Sequence, residues 1–223
     1  MTISPDDEGL GWQPSDPPAQ RIELLGPLAP RPLAKASIVT PGNWIELDLD
    51  ASTRHTSIRR AVRRAIVRSR ALAPDAIPLI ALLDRLTTRA NNAGAFYCAS
   101  RVIEDTKYGA LVATVVMQIC EVDTVVFPGE RNPSVAERCV ALVAVIDGDP
   151  IWTGANAGVV TLPFVGAVVR LCVENDGIVV QYIVPLFGCG AHVVVTFTST
   201  CPPYARIMTE LFDTMAQSLE LHY

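Results

Sequence analysis

Residues able to do chemistry are scattered along this 223-residue chain rather than gathered. The three histidines, His55, His192 and His222, lack a spacing such as H-x-x-x-H or H-E-x-x-H, which sets two imidazoles on one helix face around a metal ion. The six cysteines, at 98, 120, 139, 172, 189 and 201, form no C-x-x-C pair, and most sit in apolar runs where cysteine packs as a small hydrophobe. Cys189, between Gly188 and Gly190 in a reversal, is the one expected to reach solvent, where a thiol is either reactive or incidental. No G-x-S-x-G elbow marks a nucleophile. Gly154-Ala155-Asn156-Ala157-Gly158 has neither P-loop nor G-x-G-x-x-G spacing, and no lysine lies near it to meet a phosphate. Asp147 and Asp149 resemble a fragment of a calcium loop without its remaining ligands. Asp48 and Asp50 read either as part of an acidic site or as residues that flank a strand end and cap the next helix. This inventory implies no catalytic residue, no metal ligand set and no cofactor.

The sharpest charge feature is a run of arginines: Arg59, Arg60, Arg63, Arg64, Arg68 and Arg70. Ile58, Ala61, Val62, Ala65 and Ile66 recur at helical period between them, so a helix over 53–70 would bury the aliphatic stripe and turn the arginines outward, with Val67 as the one misfit. One reading is a docking surface for an acidic protein, an anionic lipid or a nucleic acid. The other is a solvated helix face, shielded by an acidic tail. No aromatic or lysine interleaves the arginines, which argues against base stacking. Arg59, Arg60, Arg63, Arg64 and Arg68 are the candidate partner-docking residues.

The elements that would position these groups are clearest in the last quarter of the chain. Ala167–Val173 and Ile178–Val184 are aliphatic strands joined by Glu174-Asn175-Asp176-Gly177, and Asp-Gly is strong hairpin chemistry. Pro185, lacking an N–H, marks a strand end. After Gly188-Cys189-Gly190 the chain returns over Ala191–Thr198, with Val193, Val195 and Phe197 on a core face and His192, Val194, Thr196 and Thr198 on a mixed one. Ile207, Met208, Leu211, Phe212, Met215 and Leu219 then form one stripe of a helix that must lie on the preceding sheet. Upstream, Ser37–Thr40 and Trp44–Leu47 read as short strands and Asp75–Asn92 as a helix with Ile77, Leu79, Ile80, Leu82, Leu83 and Leu86 inward. Ala95–Ile103 reads as a strand, and Tyr108–Cys120, nearly apolar on both faces, as a central one. Pro133–Leu142 reads as a short helix, Leu142–Ile146 as helix or strand, and Gly158–Leu162 as a further strand. Residues 1–34, rich in proline, read as a disordered or loosely attached tail, pinned in part by Trp12 and the Ile22–Leu25 patch. Residues 35–223 read as a single domain. The expected fold is α+β, a largely antiparallel sheet of about six or seven strands with helices on both faces and the C-terminal helix packed on the sheet.

Composition narrows the class further. Half the residues are hydrophobic and the mean hydropathy is +0.31, yet no apolar run reaches the ~18–20 residues of a membrane span, so buried strands account for it. The net charge of −5 argues against a nucleic-acid partner. Only Lys35 and Lys107 are lysines, and with abundant alanine and valine this arginine bias suggests a high-GC bacterial genome. The N-terminus shows neither a positively charged nor an apolar signal region, and the unpaired cysteines suit a reducing compartment, so the expected location is cytoplasmic.

Three pieces carry a resemblance: Leu83-Asp84-Arg85-Leu86 with Ala93-Gly94-Ala95, Val180-Gln181-Tyr182-Ile183-Val184-Pro185-Leu186, and Val193–Thr200 with Glu210-Leu211-Phe212-Asp213. They look like a group of uncharacterised actinobacterial proteins, and the element order is similar to the PsbP-like α/β/α sandwich. That resemblance implies a curved antiparallel sheet between helices and a protein that binds other proteins rather than catalysing a reaction. A weaker analogy is to the cytoplasmic chaperones of actinobacterial type VII secretion. Gly188-Cys189-Gly190 is shorter than the polar loop that the family would carry there. Three functions therefore stand: a non-catalytic protein-binding, adaptor or chaperone-like protein; an enzyme or small-ligand binder whose site is assembled from distant residues; and a structural homodimer paired through a sheet edge.

Overall fold

The computed structural model describes residues 20–24, 33, 35–121, 134–148, 154–175, 177–186, 191–200 and 202–223. In chain order the elements are β1 (Gln20–Leu24), β2 (Lys35–Thr40), β3 (Ile45–Glu46), α1 (Ala51–Arg68), a 3-10 turn (Arg70–Asp75), α2 (Ala76–Asn92), β4 (Ala95–Asp105), β5 (Gly109–Glu121), α3 (Val135–Gly148), β6 (Asn156–Leu162), β7 (Gly166–Glu174), β8 (Ile178–Pro185), β9 (Ala191–Ser199), α4 (Ala205–Ala216) and β10 (Glu220–His222).

Seven of the strands form an antiparallel sheet in the order β3-β4-β5-β9-β8-β7-β6. The β6-to-β9 run is a meander of hairpins, as the alternation of aliphatic runs and turn residues implies. At the β7–β8 turn Gly177 is required for space: a Cβ there would lie 2.8 Å from the Ser199 carbonyl oxygen. Asp176 and the Gly188-Cys189-Gly190 reversal lie outside the described residues. A second, three-stranded sheet, β1-β2-β10, was not foreseen. Its strand β1 pairs Gln20–Leu24 with β2, so part of the 1–34 segment is joined to the body.

Strand register assigns the two faces of the large sheet. Ala113, Val115 and Met117 of β5, Val193, Val195 and Phe197 of β9 and Val180, Tyr182 and Val184 of β8 share one face, over which α4 and β2 close the main core. Phe212 of α4 stacks on Phe197 with ring centroids 5.1 Å apart, and Tyr182 meets Phe197 edge-on. The Ser218 hydroxyl accepts from the Val39 amide at 2.8 Å and ties the end of α4 to the small sheet.

The opposite face carries two separate clusters. α1 and α2 bury Ile58, Ala61, Val62, Leu79 and Leu83 against Cys98 of β4 and Val112 of β5. At the far end α3 buries Cys139, Leu142 and Ile146 against Val169 and Leu171 of β7. Between them runs a polar strip: the hydroxyls of Thr114 and Thr198 meet at 2.6 Å, and Gln181 donates to Thr196 at 3.1 Å. The mixed face read for Ala191–Thr198 is this strip. Helices thus lie on both faces of the sheet, in an α+β fold.

Local chemistry explains the helix ends. Asp50 caps α1, its carboxylate accepting from the Ser52 amide at 2.7 Å. Ser134 and Glu137 form a capping box ahead of α3: Glu137 accepts from the Ser134 amide at 2.7 Å, and Ser134 accepts from the Glu137 amide at 3.2 Å. This helix runs on to Gly148, so Leu142–Ile146 is helix, not strand. Two inward assignments are corrected. Ile77 is 80% exposed because it lies about half a turn from the Leu79–Leu83 stripe, and Ile207 is half-exposed on the flank of the Met208–Phe212 stripe. Leu219 is buried, but beyond the end of α4, where the chain turns into β10.

Phe212 is fully buried in the largest cluster, so Phe212→Ala should cost about 3–5 kcal/mol of unfolding free energy in a urea titration. Ile207→Ala, on the exposed flank, should stay within about 0.5 kcal/mol.

Candidate functional site

The arginines of α1 stand where their period implies. Arg59, Arg60, Arg63, Arg64 and Arg68 are all exposed, whereas Ile58, Ala61, Val62 and Ala65 are buried. The helix carries six arginines and no acidic residue. Arg54 pairs with Asp84 of α2 at 3.6 Å, and Arg68 donates to the Asn43 carbonyl at 3.5 Å. His55, Thr56, Arg59, Arg60 and Arg63 line a shallow hollow of about 370 Å³. Val67, the misfit of the periodic pattern, is 77% exposed and sits one turn beyond Arg63 and Arg64. This face therefore combines dense positive charge with an apolar point.

A second constellation was missed at the sequence level. Arg170 of β7 stands opposite Tyr182 of β8, and α4 crosses above them with Asp213. Arg170 donates to Asp213 through Nε at 2.9 Å and Nη2 at 3.2 Å, a bidentate pair, and the Tyr182 hydroxyl donates to the same carboxylate. Burial, then the Asp213 hydrogen bond and charge, push the Tyr182 hydroxyl well above its ordinary value. For Arg170 burial acts against the cation, and the hydrogen bonds and charges of Asp213 and Tyr182 together more than offset it, so the guanidinium stays charged. Beside this trio Gly154, Asn156, Arg170, Cys172, Glu174 and Thr209 line an open cleft of about 350 Å³. Arg170 and Glu174 are the charged residues of its lining, one of each sign. The one sequence signal was Arg170 itself, the lone charge in an apolar strand. Its partners are 12 and 43 residues away, and only register and the crossing of α4 bring them together.

The remaining candidates separate. His55 is on α1, His192 on β9 and His222 on β10, where it lies 3.6 Å from Glu220. Among the described residues no group of three or more His, Cys, Asp or Glu is arranged to hold a metal ion. Cys98, Cys120, Cys139 and Cys172 are free, and burial raises all four thiols, Cys98 to about 12. Cys189 and Asp149 lie outside the described residues, and Asp147 is in the last turn of α3. Glu46, Asp48 and Asp50 border a hollow of about 250 Å³. Burial and Asp48 raise Glu46, while the Ser52 hydrogen bonds hold Asp50 below its ordinary value. Gly154 and Asn156, rejected as a phosphate loop, border the Arg170 cleft. No helix among the described residues is long and apolar enough to cross a membrane.

No protein-family model matches this sequence, and no curated protein does so. Among solved structures the chain is similar to the solution structure of cyanobacterial PsbP (CyanoP) from Synechocystis sp. PCC 6803. The two share 13% identity, the overlay covers 92% of this chain and 93% of that one, and the TM-score is 0.40. Family membership does not follow from an overlap of that quality.

The Tyr182 hydroxyl must stay protonated to donate to Asp213. Its folded pKa is raised, so its contribution is complete below the unfolded value of about 10 and is lost as pH rises from there towards the folded value. Tyr182→Phe should therefore lower stability at pH 7 by about 1–2 kcal/mol and flatten the fall in unfolding free energy above about pH 10, measured by urea titration at each pH.

Proposed function

We propose that the protein is a non-catalytic binding or adaptor protein of a bacterial cytoplasm, and that it docks an acidic protein segment on the arginine face of α1. The observation that carries this reading is the concentration of charge. Against a net charge of −5 for the whole chain, this helix alone carries six arginines and no acid. Arg59 with Arg63, Arg60 with Arg64 and Arg64 with Arg68 are like-charge neighbours at i,i+4, each of which destabilises an isolated helix by about 0.2–0.5 kcal/mol. A face that costs stability in the free protein is accounted for when an anionic partner relieves the repulsion. Val67, bare among the arginines, gives such a partner an apolar contact and suits an acidic amphipathic segment better than a nucleic-acid backbone. The likeness to actinobacterial proteins read in the sequence agrees with a bacterial adaptor.

A labelled peptide of alternating glutamate and leucine, followed by fluorescence anisotropy, tests the reading. Binding should weaken at least tenfold in the Arg59→Gln, Arg60→Gln, Arg63→Gln, Arg64→Gln variant. It should weaken again when salt is raised from about 0.05 to 0.5 M, which shortens the reach of exposed charges. Equal binding by the variant, with its circular dichroism unchanged, would overturn the proposal.

A further inference from the structure

The seven-stranded sheet ends in two unlike edges. At one, β3 is two residues long and carries Glu46, with Asp48 and Asp50 just beyond it. Short, charged edges of this kind resist pairing with another chain. At the other, β6 runs seven residues, keeps unbroken register with β7, and contains no charge and no proline. Among the described residues β7 is its sole strand partner. Val159 in this strand is 41% exposed and Phe164, in the turn that follows, 62%. Among the described residues none of the usual devices that blunt an edge is present, so the strand is a template for strand addition.

We infer that β6 pairs antiparallel with β6 of a second copy of this chain, about a two-fold axis through Val159, to give a continuous sheet across the dimer. The strand is self-complementary about that residue. Gly158 opposes Val160 of the partner subunit, and Val160 opposes the partner's Gly158. A Cβ built on Gly158 meets nothing within 4 Å, so the face beside it has room for a branched side chain. On the other face the two copies of Val159 meet as a β-branched pair, a favourable cross-strand contact. An axis at Glu46 of β3 would instead set that residue against its own copy, and like charges directly opposite destabilise a pair.

The helix above this edge fits the same arrangement. α3 packs across β6 and β7 and turns Cys139, Leu142 and Ile146 inward. Val140 and Val145, both exposed, fall on opposite flanks of that stripe, so one of them overhangs the β6 side. An axis perpendicular to the sheet keeps both copies of α3 on one face and brings those flanks towards each other. The contact is then a strand pair with an apolar roof. It is independent of the arginine face, which lies over the opposite end of the sheet.

Sedimentation velocity at about 100 μM protein tests the inference, a concentration at which even a weak micromolar dimer is populated. The wild-type chain should sediment as a dimer, and Val159→Lys, at an exposed position, should weaken association at least tenfold. Val159→Cys under a mild oxidant should give a disulfide-linked dimer, because directly opposed Cα atoms in an antiparallel pair lie about 4.5–5.5 Å apart, within bridging range. Ile77→Cys, exposed on α2, should not cross-link. A wild-type monomer at that concentration would overturn the proposal, and so would a dimer that survives Val159→Lys while Val159→Cys fails to cross-link.

Discussion

The pairing of β5 with β9 holds this fold together. Nine residue pairs, from Ala113 with Ser199 to Glu121 with Ala191, join the β3–β5 half of the sheet to the β6–β9 meander. The β4–β5 hairpin and the β6–β9 meander are local in sequence, whereas this seam closes a loop of some seventy residues or more. Closing it costs conformational entropy that only burial can offset. The side chains on the seam show where the offset comes from: Val115 meets Phe197, Met117 meets Val195 and Ile119 meets Val193. α4 follows β9 after a short turn, and its Phe212 stacks on Phe197 beside the seam. The main core thus spans one non-local pairing, and a topology of that sort folds slowly relative to helical proteins of the same size.

The two faces of the seam differ because they have different neighbours. Under α4 and β2 its middle is apolar, with Val115, Met117 and Ile119 against Phe197, Val195 and Val193. On the other face it passes between the α1–α2 layer and α3, and neither reaches its centre. Threonine and glutamine fill that gap, satisfying one another as Thr114 with Thr198 and Gln181 with Thr196. Continuous hydrophobic side chains there would have left an exposed apolar band on a half-covered sheet. The polar strip thus marks the width that the two helical layers leave open.

Much of this was legible in the sequence where a pattern is local. The alternation of Val193, Val195 and Phe197, the Met208–Phe212–Met215 stripe, and the Ile58–Val62–Ala65 stripe are periodic signals within single elements, and the structure places them as read. The strand β10 was not legible, since three residues after a helix carry no period, and Leu219 continued the helical stripe closely enough to hide the break. Ile77 misled because composition in a first helical turn says nothing about direction. The Arg170–Tyr182–Asp213 trio was illegible for another reason: its members lie on three elements, each ordinary by itself. The arginine face was fully legible, because charge on one helix needs no tertiary information.

The two surfaces argued for lie at opposite ends of one sheet. α1 covers the β3–β5 end, and β6 is the far edge. Two copies joined through β6 set their β4 strands eleven strand steps apart, roughly 50 Å at the usual inter-strand spacing. Twist of roughly 20° per strand accumulates over that distance to more than a half-turn, so the two arginine faces cannot look out over one flat surface. A dimer built this way offers two separate docking faces to two partner molecules, or to one long enough to wrap the sheet. A short acidic segment would engage one face at a time, with dimerisation leaving its affinity unchanged and doubling only the number of sites.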